Sequence, residues 1–505
     1  MRLSVACNFD EALIDGLKGY PIQEVYGKVT QDYAGGGRPS FYLPPANKQT
    51  VERFVKKVHG MGIQFNYLMN ASCMGNREYT REGQTEIRKT LDWVSEAGCD
   101  SVTVGQIYLL QMIKRCYPNL RVRISSHRFT DSVRKARFWE DHGADCIVLN
   151  ETAFYREFEA LRTIRESVKC DLQLIANNSC RTDCAIAGTH ASSLSHASQH
   201  GKGQKKSYPL DYHMLFCLDY RLREPVNYVR ANWIRPEDMH HYEAMGYDYF
   251  KIVERNTPTP VLLNRVQAYA NRRYDGNFFD MVLPFQYPES SYTTQAQRDA
   301  YSLKRAVKYF FKPGQVNVAK MPKLMTLGKQ MGLLYPMPDG QQPLYLDNRK
   351  MDGFIDHFLK ESCIDVDCEK CRYCHDFADR ALTIEPSYRR KVLATYRDIF
   401  EDMHTGKFWL MKPGDVVEAA QRLVEVAKTT LEEWRAKRSA TTAQQGAAGG
   451  TGLRSTTPSS TTKAAPGGAA MSQTDDLSTL AESALARKLR AKATAESLPS
   501  CPMDE

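Results

Sequence analysis

Residues 1–275 alternate short apolar runs with segments whose apolar residues recur every three or four positions. The first kind of pattern predicts buried strands and the second predicts amphipathic helices. The predicted strands are residues 3–6, 22–26, 63–68, 101–104, 122–124, 146–149, 172–175 and 249–253, and the clearest helices are 51–60, 85–97, 132–142 and 154–168. Eight strands joined by helical crossovers indicate the α/β class and a (β/α)8 TIM-like barrel.

Three junctions support this order of elements. Gly98, Gly143 and Gly246 each follow a helical segment and precede a polar residue and a strand, as a helix C-terminus requires. A doubly wound open sheet is the alternative, and it would need a glycine-rich phosphate turn after the first strand. The glycines at 35–37 have no strand-to-helix context, so we expect them to form a loop.

The remainder of the chain predicts two further regions. Residues 276–438 are less regular, with helices expected at 296–311, 388–403 and 416–437, and they form a helical appendix that carries a cysteine-rich segment at 363–375. From Ser439 the sequence becomes rich in Ala, Gly, Thr and Ser, which cannot bury enough surface to offset chain entropy. We therefore expect three parts: a barrel at 1–275, the appendix at 276–438 and a disordered tail at 439–505.

Charge and composition narrow the class of protein. The 505 residues carry a net charge of +9, and the tail holds six basic and six acidic side chains, so the excess lies on the folded body. This permits an anionic small molecule or RNA as substrate without requiring either. No run of about 18 apolar residues predicts a membrane span. The first residues read as a short strand instead of a signal peptide, so we expect a cytoplasmic protein.

Fourteen cysteines are many for a reducing compartment, where clustered cysteines bind metals more often than they form disulfides. Cys73 follows the third predicted strand, Cys180 and Cys184 follow the seventh, and Cys217 lies in the insertion before the eighth. Catalytic groups of a barrel gather at the carboxyl ends of its strands. These four cysteines are therefore expected to meet at that face, where four thiolates would suit one iron–sulfur cubane.

A second group occupies the appendix. Cys363, Cys368, Cys371 and Cys374 fall within twelve residues and include a C-x2-C-x2-C run. This spacing predicts a metal module separate from the barrel. A compact run of this kind favours a [4Fe–4S] cluster, and zinc is the alternative.

Two titratable residues are candidates for proton transfer or substrate binding at the same face. His127 follows the fifth strand and Glu151 follows the sixth. Asn70 and Glu254 also stand at strand ends, and His190, His196 and His213 lie near the cysteines in the insertion. Strand-end geometry makes His127 the best histidine of this set.

Four features stand in order along this part of the chain: the pair Cys180-x3-Cys184, then Cys217, then Arg-Ala-Asn-Trp-Ile-Arg-Pro-Glu-Asp at 230–238, and Asp-Tyr-Phe-Lys-Ile at 248–252. Together they resemble the peptidase U32 family. The resemblance covers about residues 1–275. It implies a [4Fe–4S] cluster and oxygen-independent hydroxylation of ubiquinone precursors or of bases in tRNA and rRNA, with prephenate as an oxygen source. An electron donor or a U32-type protein would be the expected partner. The chain departs from the main branch of the family at residues 174–179.

Three other functions remain open from the sequence. The family name implies collagenase-like peptidase activity, but neither a His-Glu-x-x-His helix nor a Gly-x-Ser-x-Gly elbow is present. A cysteine peptidase would need a thiol–imidazole pair, such as Cys73 with His127. A radical S-adenosylmethionine enzyme would carry a C-x3-C-x2-C loop after its first strand. A non-catalytic iron–sulfur scaffold or electron-transfer partner is the third alternative.

Overall fold

Eight parallel strands close into a barrel in which each strand pairs with the next along the chain and β1 pairs with β8. The computed structural model describes residues 1–200, 210–300, 303–312, 314–410 and 414. The strands are β1 (Arg2–Ala6), β2 (Ile22–Gly27), β3 (Gln64–Met69), β4 (Ser101–Val104), β5 (Arg121–Ile124), β6 (Cys146–Val148), β7 (Asp171–Ile175) and β8 (Tyr249–Ile252). All eight predicted strands are confirmed, and closure of the sheet excludes the doubly wound alternative.

Helices follow the strands around the barrel. They are α1 (Glu11–Gly16), α2 (Lys48–His59), α3 (Arg81–Glu96), α4 (Ile107–Cys116), α5 (Val133–Asp141), α6 (Phe158–Ser167), α7 (Ala187–Ser198), α8 (Tyr212–Arg223), α9 (Val226–Val229), α10 (Met239–Glu243) and α11 (Thr259–Asn271). The four helices predicted most clearly correspond to α2, α3, α5 and α6. Gly98, Gly143 and Gly246 adopt φ values of 79°, 96° and 87°, which favour glycine and confirm the predicted helix ends.

The chain beyond the barrel is mainly helical. Its elements are α12 (Phe279–Val282), α13 (Gln295–Ala300), α14 (Leu303–Phe310), α15 (Met321–Gln330), β9 (Leu344–Leu346), α16 (Cys368–Cys371), α17 (Tyr373–Ala381), β10 (Leu382–Ile384) and α18 (Pro386–His404). The helix predicted at 296–311 corresponds to α13 and α14, and that at 388–403 lies within α18. The helix predicted at 416–437 and the tail at 439–505 lie outside the described residues.

Two compact units divide the described chain. The larger contains Met1–Lys312 and Leu324–Phe400, and thus the barrel and the cysteine-rich segment. The smaller includes residues 314–323 and 401–410, where Lys323 Nζ lies 2.6 Å from Asp402 Oδ2. None of the helices in the described part of the chain has the length and apolar character needed to cross a bilayer.

The barrel interior contains charged side chains as well as the usual apolar ones. Glu24 of β2 and Arg123 of β5 form an ion pair of 2.7 Å, and both side chains are at most 2% exposed. Ser4 Oγ donates to Glu24 Oε1 at 2.6 Å, and the Lys251 ammonium lies 4.1 Å from the centre of the Tyr26 ring. Loss of either ion-pair partner would leave a buried charge uncompensated, at a cost of about 3–5 kcal/mol. This pair is therefore part of the barrel core.

Candidate active site

A cavity of about 150 Å³ opens at the carboxyl ends of the barrel strands. Its walls come from the loops after β2, β5, β6, β7 and β8 and from helices α7 and α8. The predicted site residues on these walls are His127, Glu151, Cys180, Cys184 and Cys217. We call this space the cysteine cavity. The structure therefore brings together five of the six residues predicted for the barrel site.

Helix α8 supplies one wall because its residues repeat at the helical period. His213, Cys217 and Arg221 are spaced four apart, so their side chains lie along one face. The helix begins at a cap in which Asp211 Oδ1 accepts a hydrogen bond from the backbone of Met214 at 2.9 Å. The insertion before β8 thus brings Cys217 to the barrel mouth, as the sequence predicted.

The loop that carries Cys180 and Cys184 is fixed by hydrogen bonds at both sides. The Cys180 N–H donates to Asn178 Oδ1 at 2.7 Å, and its carbonyl accepts from the Asn232 N–H at 2.9 Å. Thr182 Oγ1 donates to Asn232 Oδ1 at 3.0 Å. The Ala-Asn-Trp stretch at 231–233, which the sequence singled out, therefore holds the cysteine loop in place.

Burial controls the protonation of Cys180. Although its exposed area is intermediate, surrounding atoms desolvate its thiol and raise the pKa well above the ordinary value; nearby Glu151 adds to this, and Arg221 opposes it. Arg221 interacts electrostatically with both Cys217 and Cys180. A cation is therefore already placed beside the two thiols, where it would stabilise their deprotonated forms.

His127 and Glu151 form the titratable pair of the cavity. His127 Nε2 lies 3.8 Å from Glu151 Oε1, and His127 is 7% exposed. Burial lowers the pKa of His127 to about 4, with Glu151 opposing that effect. His127 is thus a neutral imidazole near pH 7, able to accept a proton.

The glycine loop after β2 takes part in the site, which the sequence did not predict. The Gly37 N–H donates to Asn70 Oδ1 at 3.1 Å. A Cβ at Gly37 would lie 2.6 Å from His127 Cε1, so only glycine fits against that ring. Arg38 follows and binds Glu254, with 2.5 Å between Nη2 and Oε1.

Glu254 is held in a backbone conformation that glycine favours, with φ of 85°. Burial works to raise its pKa, but the charge and hydrogen bonds of Arg38 outweigh burial and lower it. Backbone strain of this kind costs about 1–3 kcal/mol and is common at functional sites. The Arg38–Glu254 pair thus fixes the rim between β2 and β8.

Two further histidines, His190 and His213, border the cysteine cavity. His190 Nε2 lies 3.0 Å from Asp211 Oδ2, and the His190 and His213 rings stack with centres 5.5 Å apart. A carboxylate bound to one ring nitrogen fixes the orientation of the imidazole and leaves the other nitrogen available. His190 is therefore a further candidate for binding or proton transfer.

Cys73 occupies a different place from the other predicted cysteines. It lies in the loop after β3, and its carbonyl accepts a hydrogen bond from Gln199 Nε2 at 2.5 Å. The described residues that line the cysteine cavity do not include Cys73. Within the described chain, no three His, Cys, Asp or Glu side chains stand in position to hold a single metal ion. The ligand sulfurs of a cubane lie about 6–7 Å apart, which is a wider spacing than that of ligands around a single ion. The single-ion geometry therefore does not test the cluster, and its ligands remain predictions.

The cysteine module, residues 363–375, lies against the barrel rim. The Cys363 N–H donates to Glu157 Oε1 at 2.8 Å, and Arg230 Nη2 lies 3.5 Å from Glu369 Oε1. Burial raises the pKa of Cys363 to about 12, and Cys374 and Cys371 add to the shift. Cys368 and Cys371 are exposed. The predicted metal site of this module is likewise untested by the geometry.

Arg38, Arg221 and Asp211 were missed in the sequence. Arg38 follows three consecutive glycines after a strand, and such a run indicates a loop whose backbone passes close to neighbouring side chains. Arg221 lies four residues after Cys217 in a helical pattern. Asp211 precedes that helix as its N-cap.

A closed barrel with thiol, imidazole and carboxylate groups gathered at the carboxyl ends of its strands has the arrangement of barrel enzymes. The model of peptidase family U32 matches residues 45–272. The resemblance to this family seen in the sequence is therefore confirmed over this part of the chain.

Comparison with individual proteins gives further similarities. An uncharacterized protease of Methanocaldococcus jannaschii is 26% identical over 354 residues, which cover 70% of this chain and 87% of the relative. The solved structure of the U32 peptidase Mk0906 is 22% identical, covers 50% of this chain and 90% of its own, and has a TM-score of 0.36. The solved structure of the YdjI aldolase of Escherichia coli K12 is 11% identical, covers 53% of this chain and 90% of its own, and has a TM-score of 0.26. The fold itself rests on the strand pairing of this chain.

Proposed function

We propose that the chain is an iron–sulfur enzyme that carries out oxygen-independent hydroxylation, or a related redox modification, of an aromatic small molecule or an RNA base. One observation carries the proposal: Cys180, Cys184 and Cys217 come from two separate segments and line the same cavity as His127 and Glu151. Thiols gathered in this way, with Arg221 beside two of them, fit the donor chemistry of an iron–sulfur cluster.

The roles of the residues follow from their placement. The three cysteines would hold the cluster, which would supply one-electron chemistry; Cys73, the fourth ligand predicted from the sequence, does not line this cavity. His127, neutral near pH 7, would accept a proton from the substrate, and Glu151 would stabilise the imidazolium that forms. Hydroxylation without O2 removes two electrons from the substrate, so the reaction would also need an oxygen donor that is reduced in the same step, such as the prephenate that the family resemblance implies.

The peptidase alternative draws on the name of the M. jannaschii relative, a protease. A cysteine peptidase needs a thiol beside an imidazole, and the pair that the sequence offered is Cys73 with His127. His127 lines the cysteine cavity and Cys73 does not. We therefore rank the redox function first.

The test is anaerobic purification of the full chain with iron, sulfide and zinc quantified. We expect about four iron and four sulfide to depend on the barrel cysteines, because a cubane has that composition. Cys184→Ser and Cys217→Ser should each lose this iron, whereas Cys116→Ser, at an exposed position on α4, should keep it. Cys73→Ser tests the fourth ligand.

Two results would contradict the proposal. The first is an anaerobically purified chain without iron. The second is cleavage of a fluorogenic peptide library that Cys184→Ala abolishes and chelators leave unchanged, which would favour the peptidase.

A further inference from the structure

A second cavity, of about 270 Å³, lies beside the cysteine cavity. The two share Tyr42, Asn256 and Leu333 in their walls, so a molecule in one would lie next to the other. Six aromatic rings contribute to this second cavity, and we call it the aromatic cavity. They are Phe9, Phe41, Tyr42, Tyr292, Tyr309 and Phe310.

The rings form a fixed wall. The Phe41 ring centre lies 4.1 Å from that of Tyr42 and 4.8 Å from that of Phe310, the latter edge-to-face. Arg305 holds the loop that carries Phe41, because its Nη2 donates to the carbonyls of Phe41 at 3.0 Å and Leu43 at 2.6 Å. A flat, apolar ring would find a prepared surface here.

One charged group in the aromatic cavity, Arg255, is attracted electrostatically by Tyr26, Glu254 and Tyr67 but has no hydrogen-bond partner among the described residues. Arg255 follows β8, is 5% exposed and lines the cavity. Within the residues that the structure describes, its guanidinium makes no hydrogen bond or ion pair. The carboxylate next to it in sequence, Glu254, is bound by Arg38 instead. Burial lowers the pKa of Arg255 to about 10, so it still carries its charge near pH 7.

The other polar residues of the aromatic cavity are already engaged. Asp10 Oδ2 accepts from Thr259 Oγ1 at 2.5 Å and from Gln297 Nε2 at 3.0 Å. Asn8 Nδ2 donates to the Thr257 carbonyl at 3.1 Å. A buried, unpaired guanidinium is costly, and a planar carboxylate matches its donors with two parallel hydrogen bonds.

We propose that the aromatic cavity binds a single-ring aromatic monocarboxylate, with its carboxylate on Arg255 and its ring against Phe41 and Tyr42. The volume of about 270 Å³ lies just below the range of about 300–1,000 Å³ for ligand sites, which suits one ring. The lining holds two guanidinium groups, Arg255 and Arg305, and two carboxylates, Asp10 and Glu11. Arg305 is bound to backbone carbonyls, so Arg255 is the cation left for a ligand and suits a monoanion better than a phosphate dianion. Because the ring would lie beside the cysteine cavity, this inference names the substrate class of the proposed enzyme and in that respect rests on the proposed function.

Benzoate and benzamide form a matched pair of probes, alike in shape and different in charge. Binding to the full chain is measured by isothermal titration calorimetry. We expect benzoate to bind at least tenfold more tightly than benzamide. Arg255→Gln should remove that preference, Arg255→Lys should retain part of it, and the exposed control Arg134→Gln should leave it unchanged.

Equal affinity for the two probes in the unaltered chain would overturn the inference, even if no variant folds. An unchanged benzoate affinity in a folded Arg255→Gln variant would overturn it as well. Iron content, measured on the same samples, separates the two proposals. Failed binding with full iron rejects the ligand site alone, whereas benzoate binding without iron rejects the cluster alone.

Discussion

Cys180, Cys184 and Cys217 line the cysteine cavity and are partly exposed, whereas Cys368 and Cys371 of the cysteine module are exposed. The cysteines of the barrel mouth come from positions up to 37 residues apart and depend on the barrel for their meeting. The four cysteines of the module fall within twelve residues and need only a local turn. The same residue type thus occupies a site built by tertiary structure and a site built by sequence proximity.

This difference has a chemical consequence. The Cys180 thiol is desolvated, so the negative charge left by its deprotonation is poorly stabilised by water. The barrel site therefore depends on the positive charge of Arg221. An exposed thiol exchanges freely with solvent and with external oxidants. We infer that Cys368 and Cys371 are the most labile of these thiols, whereas burial raises the pKa of Cys363 and Cys374 of the same module as it raises that of Cys180.

The largest expected effect separates the two sites by metal content. Cys371→Ser should remove one metal equivalent, either about four iron or one zinc, and leave the barrel iron in place. Metal binding and folding are coupled in small cysteine modules, so hydrogen exchange should increase at residues 350–385 only. Metal analysis with Cys116→Ser as control measures this, and full metal retention would show that the module is not a metal site.

Acid should destabilise the barrel mouth through His127. Its folded pKa of about 4 lies below the unfolded value of about 6.5, so between these pH values the unfolded chain binds the extra proton. As the pH falls from about 6.5 to 4, His127 should therefore lower the free energy of unfolding by about 2–3 kcal/mol. Urea unfolding at pH 7 and 4.5 should show a smaller loss for His127→Gln than for the exposed-site control His240→Gln; equal losses would contradict the assignment.

Packing at the glycine loop sets the next effect. Gly37→Ala places a Cβ 2.6 Å from His127 Cε1 and should lower the free energy of unfolding by about 1–3 kcal/mol. Gly188→Ala is the matched control, because nothing lies within 4 Å of its added Cβ and alanine suits its position in α7. Thermal melts compare the two variants, and equal melting temperatures would mean that the loop does not pack on His127 in solution.

The smallest effect is expected from the tail. Deletion of Ser439–Glu505 should leave both the melting temperature and the metal content of the barrel and the module unchanged, because this segment has few apolar residues and no net charge. Calorimetry and metal analysis of the shortened chain provide the measurement. A lower melting temperature would show that the tail contacts the folded part.

The barrel was predictable because its signal is periodic and local. Each strand is a short apolar run, and Gly98, Gly143 and Gly246 mark where the helices end. Strand-end placement also located His127, Glu151, Cys180 and Cys184 at one face, since parallel strands share an edge.

Other parts of the site depend on contacts between distant residues and could not be predicted. Arg38 and Glu254 are 216 residues apart, and nothing in either local sequence signals the other. The pairing of Glu24 with Arg123 inside the barrel runs against the rule that charged residues lie outside. The loop after β3 has a clear strand-end position, yet Cys73 does not line the cysteine cavity.

The parallel pairing of β1 with β8 determines when the site can form during synthesis. Val5 pairs with Ile252, so the barrel cannot close until about 250 residues have left the ribosome, which takes about 13–50 s at ~5–20 residues per second. Contacts so distant in sequence also make closure slow. The cysteine module emerges more than a hundred residues later, so the cysteine cavity can be complete before Cys363 is translated. Cluster insertion into the barrel would then precede metal binding by the module.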